Sequence, residues 1–160
     1  MTRIVELSAP GGVQNLSLVS RDPGNPDSGE IRLRQTSAGV NFIDIYHRKG
    51  LYPLAMPAVL GVEGAGIVEA VGDGVTQVAV GDRVGYAGIV GGYAEARLLP
   101  AWRAIKLPDD VSDALAASTV DETFTALATD VTRVERTADV TSSPALLVEI
   151  TRVTSAVMET

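Results

Sequence analysis

The 160-residue chain has no cysteine and a single histidine, His47. Without a thiol there is no disulfide framework, thiolate nucleophile, zinc finger or iron–sulfur cluster. One imidazole is also too few soft ligands for a zinc site unless carboxylates dominate it. Long apolar runs are missing too: nothing approaches the roughly 20 residues of a membrane span, and Met1-Thr2-Arg3-Ile4-Val5-Glu6 places charges where a signal core would have to be apolar. The expectation is therefore a cytoplasmic protein without a membrane partner. Positive charge is in short supply, 13 Lys plus Arg against 20 Asp plus Glu for a net charge of −7, so no general field attracts nucleic acid or an anionic surface.

Glycine is absent from residue 109 onward, although 16 glycines occur in the chain. Gly11-Gly12, Asp22-Pro23-Gly24-Asn25-Pro26, Gly72-Asp73-Gly74, Gly81-Asp82 and Gly91-Gly92 punctuate the first part into short β-type runs. Glu30-Ile31-Arg32-Leu33-Arg34 alternates with period two, which predicts a half-buried strand. Ala65 to Val71, Arg83 to Tyr86 and Ala94 to Leu99 read as further strands. Asn41 to Lys49 reads as a short helix, with Asn41 as a possible cap and Gly50 as its stop.

The texture after Pro108 predicts helices. Val120, Phe124, Leu127, Val131 and Val134 form one stripe, and Leu146, Ile150, Val153 and Val157 a second, preceded by Ser143-Pro144 as cap and first helical residue. The composition, 46% hydrophobic and 21% charged, supports one globular domain with an appendage. The division expected is 1–110 for a mainly β domain and 111–160 for a helical segment.

Chemistry-bearing motifs are few. Asp44, His47 and Glu63 could be imagined as metal ligands, but Asp44 and His47 are one helical turn apart, and an ion pair or solvent contact is the simpler reading. No G-x-S-x-G elbow accompanies the lone histidine. Gly64-Ala65-Gly66-Ile67-Val68-Glu69 carries Glu69 in place of the third glycine of a dinucleotide fingerprint and runs into a strand pattern, so it is rejected as a pyrophosphate turn; no Walker sequence occurs either.

Taken as an ordered set, Ser37-Ala38-Gly39-Val40-Asn41-Phe42-Ile43-Asp44-Ile45-Tyr46-His47-Arg48-Lys49-Gly50-Leu51-Tyr52-Pro53, Gly61-Val62-Glu63-Gly64-Ala65-Gly66-Ile67-Val68-Glu69-Ala70-Val71-Gly72, Val80-Gly81-Asp82-Arg83-Val84 and Gly91-Gly92-Tyr93-Ala94-Glu95 resemble the N-terminal, GroES-like catalytic domain of the zinc-independent quinone oxidoreductases. These belong to the medium-chain dehydrogenase/reductase superfamily. The resemblance runs from Met1 to about Asp130; residues 131–160 carry none, and the glycine-rich turn with which that family opens its Rossmann domain is not found, so that domain is expected to be absent. The implied fold is a GroES-like partial β-barrel, mainly β with α, followed by C-terminal helices.

The resemblance implies NADPH as cofactor and a small quinone or enone as substrate, without zinc. Zinc-dependent relatives have Cys at the position of Asn41 and His at that of Val62. It further implies that Asn41 and Tyr46 line the cleft, with Tyr52 nearby, in hydrogen-bonding and orienting roles. Read locally, Asn41 could instead only cap a helix, Tyr46 be a core aromatic, and Tyr52 anchor a turn. Glu63 is expected to be a buried or half-buried acceptor for backbone donors near the cleft. With no pyrophosphate turn, little turnover is expected of the chain alone. The alternative is a non-enzymatic interaction protein or truncated remnant, a possible homo-oligomer joined through its helical stripes.

Overall fold

A computed structural model describes residues 1–118 and 148–149. Strand β1 (Thr2–Leu7) forms an antiparallel pair with β2 (Leu16–Arg21) and meets the short β4 (Ala58–Val59) on its other side, giving a three-stranded sheet. The larger sheet has the order β7 (Ala96–Pro100), β3 (Glu30–Ala38), β5 (Gly64–Val71), β6 (Arg83–Tyr86), β8 (Ile105–Lys106). Helix α1 (Phe42–Lys49) follows β3, and short 3-10 turns occur at Val13–Asn15 and Ala101–Arg103. The described residues are thus mainly β, as the turn spacing predicts.

The period-two pattern extends along the whole of β3: Ile31, Leu33, Gln35 and Ser37 are buried while the Arg32 and Arg34 side chains reach Glu69 on the neighbouring β5. Two irregularities in the β3–β5 register, between Arg32 and Leu33 and between Gln35 and Ser37, bend and twist the sheet. The segment Tyr93–Glu95 then ties the two sheets together. Val5 N–H donates to Tyr93 C=O (2.9 Å), Glu95 N–H to Arg3 C=O (2.9 Å), and Gln35 N–H to Glu95 C=O (2.8 Å), around a bridge between Ile4 and Ala94. Ile31, Leu33, Val68, Val84, Tyr86 and Leu99 fill the interior of the larger sheet.

Gly64-Ala65-Gly66-Ile67-Val68-Glu69 lies within β5, so it opens no helix. Residues 113–118 are helical. Ser112 Oγ accepts from Leu115 N–H at the start of that turn (3.1 Å), and Ala116 and Ala117 pack on Ala65 and Ala87. Asp113 accepts from Thr36 Oγ1 (2.5 Å) and pairs with Arg83 (2.6 Å). Burial alone would lift the Asp113 carboxyl, but these hydrogen bonds and the guanidinium outweigh it and hold it below its ordinary range.

The expected stripe from Val120 to Val134 lies outside the described residues, as does most of the second. Val148–Glu149 are an exception and a correction: they form strand β9, antiparallel to Ser37 and Ala38 of β3, where a helix was predicted. The physical reason is an open edge. Strand β7 pairs with β3 only as far as Arg34, leaving backbone donors and acceptors near its end for another strand, and β-branched valine suits that role.

Candidate functional site

Helix α1 begins where Asn41, in extended conformation, caps it, and ends at Gly50, whose φ of +81° is the left-handed conformation that glycine adopts freely. Asn41 and Asp44 form a capping box, the Asp44 carboxylate accepting from Asn41 N–H (2.8 Å). The amphipathicity of α1 is inverted. Its buried residues are Asp44 and His47, whereas Phe42 is 76% exposed and Ile43, Ile45 and Tyr46 are also exposed.

Asp44 goes inward because three donors converge on it. Besides Asn41 N–H, it accepts from Gly61 N–H (3.2 Å) and from Tyr93 Oη (2.8 Å). The carboxylate therefore fastens the start of α1 to the turn before β5 and to the segment that joins the sheets. Burial pushes its pKa up, against the hydrogen bonds and the nearby His47, which favour the charged form. Tyr93 is shifted upward by its own burial and by the adjacent carboxylate, so it stays a donor. Gly61 has φ +86° and a Cβ built there would lie 2.6 Å from the Tyr93 ring, so both its conformation and the ring demand glycine.

Behind this corner lies Glu63, only 2% exposed, whose Oε1 accepts from Asn41 Nδ2 at 2.7 Å. A backbone bond close by, Gly39 N–H to residue 63, uses the Glu63 C=O (3.3 Å). A second buried polar chain stiffens the opposite wall. Gln35 Nε2 donates to Gly92 C=O (2.8 Å) and Ala94 C=O (2.5 Å), its Oε1 accepts from Tyr86 Oη, and Arg97 stacks over the Tyr86 ring with its guanidinium carbon 4.9 Å from the centroid.

Of the three residues singled out from the sequence, Tyr46 and Tyr52 come together, their rings edge to face with centroids 5.7 Å apart and both exposed. Asn41 stands at the N-terminus of the same helix, held by Glu63. His47 differs from its simpler reading: it is buried, with its ring centroid 6.1 Å from that of Tyr52, and the Asp44 hydrogen bonds go elsewhere. Its Nδ1 makes no hydrogen bond among the described residues. Asp44, Tyr93 and Gln35 were not anticipated as parts of this corner. The acidic residue three places after Asn41 is a capping-box signal, but nothing in the spacing announces Tyr93 as its neighbour, or Gln35 as the partner of Tyr86.

Among the described residues no three His, Asp or Glu side chains cluster as metal ligands, and no helix is long and apolar enough to cross a membrane.

Residues 27–109 match the family model of the alcohol dehydrogenase GroES-like domain, and the chain belongs to that family, within the medium-chain dehydrogenase/reductase superfamily. Its similarity runs to quinone oxidoreductases. It is 43% identical over 120 residues to a quinone oxidoreductase of Pseudomonas aeruginosa, covering 74% of this chain and 37% of that protein. A 2-haloacrylate reductase of Burkholderia is 44% identical over 106 residues, covering 63% and 32%. The structure of Escherichia coli quinone oxidoreductase complexed with NADPH superposes with a TM-score of 0.74 at 39% identity, covering 79% of this chain and 39% of that one. The chain thus spans between 32% and 39% of the length of these relatives.

Proposed function

We propose that this domain is the substrate-side portion of an NADPH-dependent, zinc-independent quinone oxidoreductase that reduces a small quinone or enone. The observation that carries this reading is the inverted helix. Asp44 and Glu63 are spent inside to fix the start of α1, while Phe42, Tyr46 and Tyr52 are exposed on and just after that helix, the two tyrosines edge to face. Exposed apolar shelves rimmed by polar groups are characteristic of binding surfaces.

The corner fits one end of the cofactor and not the other. A planar ring bearing a carbonyl suits the two tyrosines and an amide donor, so Asn41, Tyr46 and Tyr52 would hold the nicotinamide or the substrate ring. A pyrophosphate does not suit it: the N-terminus of α1 is already occupied by the Asp44 carboxylate, whose negative charge repels phosphate. Bound NADPH supplies the hydride; the residues of this chain orient the acceptor and shelter it from water. Grip on the dinucleotide therefore has to come from elsewhere, and the 160 residues alone turn over little.

Mixing the purified chain with NADPH and a quinone tests this. The expected result is no saturable loss of nicotinamide absorbance; robust saturable oxidation overturns the claim that the grip lies elsewhere. The 76% exposure of Phe42 and the 64% exposure of Leu51 also favour a second reading, in which this lip pairs with another copy of the chain. Sedimentation over a concentration series separates the two, since a persistent monomer excludes pairing.

A further inference from the structure

We propose that Glu63 is a positioning residue that sets the polarity of the Asn41 amide, so that the corner presents an N–H donor and selects ligands through a carbonyl oxygen. The inference rests on the functional reading above and sharpens it to a statement about which ligand atom Asn41 meets. A primary amide can normally turn over and exchange its donor and acceptor ends. At Asn41 it is held from behind. Glu63 Oε1 takes one Nδ2 hydrogen at 2.7 Å, and the flipped amide would set Oδ1 against a carboxylate, oxygen to oxygen.

Glu63 is itself unable to move aside. It is 2% exposed, and its Oε1 and Cγ would lie 2.2 and 2.5 Å from a Cβ at residue 39, so only glycine there leaves room for it. On the other side the Asn41 backbone N–H is held by the Asp44 carboxylate at 2.8 Å. With one Nδ2 hydrogen committed to Glu63, the second is the group left to address a ligand. A ligand carbonyl satisfies it; a hydroxyl acting as donor does not.

The test uses the full chain, labelled with nitrogen-15, and the side-chain amide signals of Asn41, assigned by their loss in Asn41→Asp. Without ligand, wild type should show one Asn41 amide proton displaced downfield and slow to exchange, and Glu63→Gln should move it back while leaving the backbone spectrum folded. Cyclohex-2-enone is then titrated as the carbonyl probe, with pyrrole, a planar ring that donates through its N–H and has no oxygen to accept, as the donor-only control. Wild type should shift the other Asn41 proton with the enone and respond about tenfold more weakly to pyrrole; in Glu63→Gln, which permits both amide orientations, that preference should fall to about twofold. If the ligand-free proton is the same in both proteins, Glu63 does not hold the amide and the proposal is overturned. A proton held by Glu63 together with equal enone and pyrrole responses overturns the ligand-selecting half. If neither probe perturbs Asn41 in wild type while the ligand-free difference persists, the functional reading of the corner fails and the selection by Asn41 fails with it, whereas the hold exerted by Glu63 stands.

Discussion

The interior of the larger sheet and the corner around α1 obey opposite rules. In the sheet, Ile31, Leu33, Val68, Val84 and Leu99 are buried and the arginines of β3 are turned outward. Around α1 the carboxylates of Asp44 and Glu63 and the imidazole of His47 are inside, while Phe42, Tyr46, Leu51 and Tyr52 face solvent. The first arrangement is what burial of apolar surface produces by itself. The second is maintained only because each inward carboxylate meets donors, and it leaves apolar surface outside for something else to cover. A local reversal of the general rule is where function is expected, because stability does not require it.

Substitutions sharpen that contrast, beginning with the largest effect. Leu33→Ala, at a fully buried position, should lower unfolding free energy by about 3 kcal/mol in denaturant titration. Gly61→Ala should cost about 2 kcal/mol, because it adds a methyl against the Tyr93 ring at positive φ. Asp113→Asn should lose about 1 kcal/mol at neutral pH, a value discounted for the partial exposure of its pair with Arg83. Phe42→Ser should change stability by less than about 0.5 kcal/mol. A Phe42→Ser loss as large as that of Leu33→Ala would erase the distinction between the two regions.

Acidity gives the same comparison a second axis. Asp113 is held below its ordinary value of 3.8, so it binds fewer protons when folded; its contribution is present above that value and disappears as pH falls through the depressed folded pKa. The deficit of Asp113→Asn should therefore vanish in acid. Asp44 has the opposite sign. Its folded pKa is raised above 3.8, so its contribution is full below that value and declines as pH rises through the folded pKa. Relative to Asp44→Asn, wild type should lose stability as pH increases from about 4 toward neutrality, in a series of denaturant midpoints.

Much of the β framework was legible in the sequence because its signals are local. Alternation in Glu30–Arg34 marks β3, glycine pairs mark the reversals, and Asn41 and Gly50 bracket α1. The corner was less legible because its decisive contacts join distant residues. Asp44 meets Gly61 and Tyr93, and Asn41 meets Glu63, pairs that no local periodicity connects. Hence Asp44 read as a helix-surface charge beside His47. The strand at Val148–Glu149 was missed for a related reason: a stripe at helical spacing says nothing about a sheet edge left unpaired more than a hundred residues earlier.

The account stands on the claim that the corner formed by α1 and the turn before β5 is the surface that meets a carbonyl-bearing ring. Titrating the labelled full chain with a water-soluble naphthoquinone and following its backbone amides tests this directly. Saturable shifts gathered in residues 39–52 and 61–63 are predicted. Saturable shifts gathered instead in the groove lined by Thr2, Arg21, Val59, Ala96 and Leu98, or no shift at all at concentrations where quinones serve as substrates, would contradict it.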